Sequence, residues 1–137
     1  MTTIGSTAAT TAEGPLVDLK PRLRGWLHAY AAAVSLATGA TLIAVASALR
    51  GASAGATTAI YGATVTLLFG TSALYHRRDW TPAARRVMKR LDHSMIFVFI
   101  AGTYTPIAAL TLPTRTAAAV LVAALCHYVA IWFAIFS

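Results

Sequence analysis

The sequence predicts an all-α fold: an integral membrane bundle of four transmembrane helices. Hydrophobic residues make up 58% of the 137 residues and charged residues only 11%, whereas about a quarter of the residues in soluble domains are charged. Four runs of 22 to 26 residues contain no Asp, Glu, Lys or Arg, and about 20 helical residues cross the apolar core of a bilayer. No segment alternates with period two, so the spans are helices rather than strands.

The first helix is predicted over residues 26–49. Residues 1–19 are rich in Thr, Ser and Ala and lack the basic start and short apolar core of a cleaved signal peptide. They are predicted to be a disordered tail, which leaves residues 20–137 as the transmembrane domain. A basic collar and rings suited to the membrane interface mark the start of the span: Lys20, Arg22, Arg24, Trp26, His28 and Tyr30.

The other three spans are predicted over residues 56–76, 92–112 and 116–136. The second contains a stripe of small residues, which favours close packing against another helix. Pro106 lies inside the third span and predicts a kink, because proline removes a backbone donor from the helix. The small-residue stripe consists of Thr58, Gly62, Thr66 and Gly70.

The link between the second and third spans is basic. Thr81 followed by Pro82 has the pattern of a helix cap with proline in the first turn. Residues 84–91 then place apolar side chains on one helical face and basic side chains on the other. This segment is predicted to be a short amphipathic helix that lies on anionic lipid headgroups and leads into the third span.

The placement of Lys and Arg predicts that both termini are cytoplasmic. Nine of these cations lie before the first span or between the second and third, whereas Arg50 and Arg115 lie on the other side. Because loops rich in Lys and Arg stay in the cytoplasm, the sequence predicts a multi-pass protein of the cell membrane. The net charge of +7 is then a topology signal and a contact for lipid headgroups, not a nucleic-acid site. Homo-oligomer formation is left open.

Ser72, His76 and Asp92 are the residues best suited to chemistry. Ser72 and His76 are four apart and therefore one turn from each other on one helical face, and Asp92 begins the next span at a similar depth. A hydroxyl, an imidazole and a carboxylate at the membrane edge can bind a metal or a metal-bound water, or transfer protons. The alternatives stay open: His76 as an interfacial anchor, and Asp92 as a helix cap or the partner of a loop arginine.

The remaining polar residues are weaker candidates for this site. His28 lies at the same membrane side and could be a further ligand, although an interfacial side chain is the favoured interpretation. His93 points about 100° away from its neighbour Asp92 on a helix. Cys126 and His127 lie deeper, in the fourth span. The single cysteine excludes an internal disulfide and a cysteine-rich zinc site.

Four motifs in the sequence are distinctive: Pro21-Arg-Leu-Arg-Gly-Trp-Leu-His, Ser72-Ala-Leu-Tyr-His, Arg90-Leu-Asp-His-Ser-Met-Ile-Phe and Ala101-Gly-Thr-Tyr-Thr-Pro. Together they resemble the bacterial hemolysin III family, which is related to the progestin and adiponectin receptors. The resemblance covers residues 20–112 and implies a seven-helix membrane bundle with a cytoplasmic N-terminus. On that fold the chain corresponds to the first four helices, so the sequence predicts a form truncated after them.

The resemblance implies a zinc site and hydrolysis of lipid amides such as ceramides. In the family, zinc is bound by a histidine of the second span and by two histidines spaced HxxxH in the last span, and an aspartate reaches it through water. Here His76 matches the first ligand, Asp92 the acid and Ser72 the accompanying hydroxyl. His76 and Asp92 are therefore the predicted metal residues, and Ser72 and Asp92 the predicted catalytic residues. A metal that lowers the pKa of its bound water gives this hydrolysis a physical basis.

The chain departs from the family pattern because no two of its histidines are four apart. His76 and a water-mediated Asp92 fall short of the three protein ligands of catalytic zinc, which a second chain could complete. Three functions stay open at this point. The chain is a hemolysin III-like hydrolase or receptor-like protein, a pore-forming cytolytic protein, as the family's name suggests, or an inactive membrane fragment.

Overall fold

The computed structural model describes residues 16–136, with side chains over residues 23–134, and this part of the chain forms four α-helices. Each helix contains a segment long and apolar enough to cross a membrane, which confirms the predicted all-α membrane bundle. Consecutive helices pack against each other, and within the described residues no Cα of α1 lies within 8 Å of a Cα of α3 or α4. The helices are α1 (Leu16–Arg50), α2 (Ala52–Arg77), α3 (Pro82–Thr111) and α4 (Thr114–Phe136).

The helices extend beyond the predicted spans. α1 begins at Leu16, so residues 16–19 of the predicted disordered tail are helical, and residues 1–15 of that tail lie outside the described residues. α3 has 30 residues, which corresponds to about 45 Å, against a hydrocarbon core of about 30 Å. The hydrophobic runs locate the parts of the helices inside the membrane, but no physical reason stops a helix at the membrane surface.

The basic segment 84–91 is part of α3 itself. The predicted cap is present: Thr81 Oγ1 accepts a hydrogen bond of 3.3 Å from the backbone N–H of Ala84, and Pro82 is the first helical residue. The amphipathic helix predicted over residues 84–91 is present as the first turns of α3 and runs without a break into the span, and its contact with lipid headgroups stays a prediction. Pro106 also lies within α3, and the kink expected there stays a prediction.

α1 and α2 share the most extensive contact between any two helices in the described part of the chain. The two helices are antiparallel and keep one register over the whole length of the pair. As the residue number rises along α1, the number of the facing residue in α2 falls by nearly the same amount. In the predicted small-residue stripe, Gly62 and Thr66 face α1, whereas a Cβ on Gly70 would meet nothing within 4 Å. The facing pairs are Gly25 with His76, His28 with Ser72, Ser35 with Thr66, Gly39 with Gly62, and Ser47 with Gly55.

α3 approaches α2 most closely at Gly102. A Cβ on Gly102 would lie 2.7 Å from Cγ2 and 2.8 Å from Cβ of Thr64, distances that real atoms do not tolerate. Thr64 is held in place because its hydroxyl donates a 2.8 Å hydrogen bond to the backbone oxygen of Tyr61. This contact fixes α3 against α2 about 15 Å along the helix from Asp92.

Candidate functional site

One cavity, of about 440 Å³, collects polar side chains from three helices at one end of the bundle. It lies where the span of α1 starts, α2 ends and α3 begins. Ser72 and His76 reach it from α2 and Asp92 from α3, so the structure brings the three sequence-predicted residues together. The residues that line it are Arg24, His28, Leu68, Phe69, Ser72, His76, Asp92 and Ile96.

His28 of α1 is a further member of this cluster. A hydrogen bond of 2.7 Å joins its Nδ1 to Oγ of Ser72. Its ring lies 5.7 Å from that of Phe69 and 6.4 Å from that of His76, measured between centroids. The sequence favoured an interfacial role for His28, because its depth was evident and its direction was not. The signal that could have corrected this is Gly25, one turn earlier, which marks the face of α1 that touches α2.

His76 is surrounded by other ionisable groups. Asp92 is near enough for its negative charge to act on the imidazole, and the positive charges of Arg24 and Arg85 act on it as well. The ring of Tyr75 lies 4.8 Å away in an edge-on arrangement. No hydrogen bond or ion pair joins His76 to Asp92 among the described residues, so the carboxylate acts on the imidazole through its charge at a distance. A negative charge near an imidazole favours the protonated form that a general base passes through.

The cavity is polar at its outer end and apolar towards the membrane interior. Arg24, His76 and Asp92 lie at the outer level, and His28 and Ser72 lie about one turn further in, which is about 5.4 Å. Beyond them the lining is apolar, formed by Leu68, Phe69 and Ile96. A cavity of this size with such a gradient suits a molecule with a polar head and an apolar chain.

Three other candidates lie outside this cavity. The exposed ring of His93 does not line it, although His93 Nδ1 lies 3.9 Å from Oδ2 of Asp92. His93 Nδ1–H donates a 2.8 Å hydrogen bond to the backbone oxygen of Lys89. Cys126 is exposed on α4. His127 lies in a separate groove between α3 and α4, beside Tyr104 and Tyr128. None of these three side chains lines the cavity that contains Ser72 and His76.

Comparison with known proteins decides the family. The model of the family described as "Haemolysin-III related" matches residues 18–137 of the chain. The chain belongs to the hemolysin III family. It is also similar to the protein named Hemolysin-3 from Bacillus cereus, with 38% identity over 85 residues. That match covers 62% of this chain and 38% of the length of the relative. No solved structure matches the chain.

The zinc site implied by this family does not fit the donors that the described part of the chain provides. Among these residues, no group of three or more His, Cys, Asp or Glu side chains is placed so that it could hold a metal ion. His28 also uses Nδ1 in its bond to Ser72, which leaves one ring nitrogen for any other contact. A catalytic zinc needs three protein ligands, so His76 and Asp92 would require further ligands from elsewhere.

Proposed function

We propose that this hemolysin III-family chain hydrolyses amide bonds of membrane lipids in the cavity between α1, α2 and α3. The observation that supports this is the convergence of His28, Ser72, His76 and Asp92 on one cavity at the end of the bundle. The apolar inner part of the cavity can accept an acyl chain while the amide lies among the polar groups. Lipid amides such as ceramides, the substrate class implied by the family, have this shape.

Three of these polar groups have a direct role in such a reaction. His76 accepts a proton from the water that attacks the amide carbonyl carbon, and passes it to the departing amine. Asp92 stabilises the imidazolium that forms in between. The hydroxyl of Ser72 donates a hydrogen bond to the carbonyl oxygen as it gains negative charge. The products are a fatty acid and an amine, and none of these steps requires a group from outside the chain.

Zinc is part of the family expectation, and its ligands would have to come partly from outside the described residues. A second copy of the chain is one source of such ligands. Zinc content is therefore measured on the same sample as activity, and its stoichiometry per chain shows whether the metal accompanies the hydrolysis.

The test is hydrolysis by the purified chain in liposomes that contain ceramide or an N-acylethanolamine. We expect release of fatty acid, measured by mass spectrometry, at a rate well above that of liposomes prepared without protein. Metal analysis by mass spectrometry and an assay after treatment with a zinc chelator follow on the same preparation. No release from any lipid amide, with and without added zinc, would rule the hydrolase out.

The same liposomes test the alternative that the chain is a pore-forming cytolytic protein. If the chain is a hydrolase, liposomes that contain it and are loaded with a fluorescent dye should retain the dye as long as dye-loaded liposomes without protein do. Fast dye leakage without fatty acid release would favour a pore-forming protein. Neither leakage nor hydrolysis would favour an inactive membrane fragment.

We propose further that the end of the bundle with this cavity faces the cytoplasm and touches anionic lipid headgroups. Arg24 and Arg77 lie at this end with the start of α3, and the guanidinium of Arg77 stacks on the ring of Trp26 at 4.0 Å. An excess of Lys and Arg marks the cytoplasmic side and attracts anionic lipids. The exposed basic residues in the first turns of α3 are Arg85, Arg86, Lys89 and Arg90.

Cysteine labelling tests this orientation. In a Cys126→Ser background, Asp79→Cys should react with a membrane-impermeant maleimide only after the cells are permeabilised, because it lies between α2 and α3. Ser53→Cys, at the opposite end of α2, is the matched control and should react in intact cells. Both positions are exposed. The reverse labelling pattern would place the end with the cavity outside the cell and the opposite end in the cytoplasm.

A further inference from the structure

We propose that His28 is a positioning residue, which acts on the reaction by holding the hydroxyl of Ser72. This role rests on the proposed function of the same cavity, and it assigns the first turns of the α1 span to the site. His28 is the last residue of the first family motif, but the resemblance assigns it no role. The assignment comes from the packing of α1 against α2.

The hydroxyl of Ser72 has an unusual partner for a serine inside a helix. Such hydroxyls commonly donate to a backbone oxygen three or four residues earlier. Ser35 does so to Ala32 at 2.8 Å, and Ser94 to Leu91 at 2.9 Å. Ser72 Oγ instead meets Nδ1 of His28, at 2.7 Å, across the helix interface. Within the described part of the chain, no hydrogen bond joins this hydroxyl to its own helix.

The surroundings keep the imidazole of His28 in place. The side chain is half-buried, and its ring is flanked by those of Phe69 and His76. Ser72 itself is only 7% exposed. A buried hydroxyl and a flanked ring have few alternative positions, so the hydrogen bond fixes the position of Ser72 Oγ. Because a serine hydroxyl has one proton, in this role Nδ1–H of His28 donates to Ser72 Oγ and leaves the Ser72 O–H to donate to the substrate carbonyl.

The consequence is a fixed hydroxyl one turn from His76. Without His28, the hydroxyl can donate to the backbone oxygens three and four residues earlier, those of Phe69 and Leu68, as serines inside helices commonly do. Rotation towards them turns the hydroxyl out of the position from which it meets the substrate carbonyl. A group displaced by about 1 Å can lower a rate about 100-fold, so the loss should appear in kcat rather than in KM.

The experiment compares two substitutions of His28 in the liposome assay. His28→Leu should lower kcat about tenfold to 100-fold with little change in KM. His28→Asn should restore kcat to within about threefold of the wild-type value, because its amide nitrogen takes the position of Nδ1. The double variant His28→Leu with Ser72→Ala should be no slower than Ser72→Ala, since His28 acts through that hydroxyl. Equal losses in His28→Asn and His28→Leu would overturn the proposal.

Ser35→Ala is the matched control, because Ser35 also bonds across the same helix pair, to Thr66 at 3.1 Å, away from the cavity. It should lower thermal stability about as much as His28→Leu and leave kcat unchanged. Nitrogen-15 NMR of the histidines gives a readout without activity: Ser72→Ala should shift the Nδ1 resonance of His28, and Ser35→Ala should not. An unshifted resonance in Ser72→Ala overturns the proposal even if the wild-type chain shows no hydrolysis. A shift in a chain without hydrolysis supports the positioning contact and rejects the proposed function alone.

Discussion

Replacing His76 by alanine or Asp92 by asparagine should lower the rate of lipid amide hydrolysis by at least about 100-fold. General acid–base catalysis by one side chain contributes about 100-fold to 10,000-fold, and His76 is the proposed proton acceptor. Asp92→Asn keeps the size of the side chain and removes the negative charge that acts on His76. The measurement is initial release of fatty acid from liposomes at several pH values.

Two substitutions serve as controls for that loss. His93→Ala removes an exposed ring outside the cavity whose Nδ1 lies 3.9 Å from Oδ2 of Asp92, so it tests whether loss of any histidine near Asp92 affects the rate. His127→Ala removes a histidine from the groove between α3 and α4. Both should keep the wild-type rate within about twofold. Equal activity in His76→Ala and the wild-type chain would show that the cavity is not where hydrolysis takes place.

The sequence was sufficient to predict the membrane bundle and part of the lining of the candidate cavity. A helix that crosses a bilayer must be apolar over about 20 residues, so the charge-free runs locate the spans without knowledge of their packing. Ser72 and His76 share a face by helical periodicity alone. Asp92 follows the short link after α2, so its level in the membrane was predictable too.

The contribution of α1 was not predictable in the same way. Depth along a helix follows from residue number, but the direction of a side chain depends on which neighbour the helix meets and in which register. The faces with small residues in α1 and α2 set that register: Gly39 packs on Gly62, and Gly25 packs on His76. Once it is set, His28 must lie opposite Ser72.

Gly25→Ala should destabilise the helix pair and distort the site together. A Cβ on Gly25 would lie 2.6 Å from Cγ of Arg77 and 3.1 Å from Cβ of His76. Arg77 cannot easily move away, because its guanidinium stacks on Trp26 of α1. Overpacking costs about 1–3 kcal/mol, which exceeds the gain of about 0.5–1 kcal/mol from replacing glycine in a helix by alanine. We expect a net loss of unfolding free energy and, because His76 is displaced, a rate at least about tenfold lower.

Two other glycines separate this steric effect from a general effect of alanine in the membrane. A Cβ on Gly39 would lie 3.7 Å from Cα of Gly62, an ordinary contact in the same helix pair, and a Cβ on Gly70 would meet nothing within 4 Å. Gly39→Ala and Gly70→Ala should therefore keep both stability and rate close to wild type. Stability is measured by thermal unfolding in detergent, and the rate in liposomes. Of these three glycines, Gly25 is the one that packs on His76, so its alanine variant alone should lose both stability and hydrolysis rate. An unchanged rate in Gly25→Ala would contradict the close packing of α1 on the cavity.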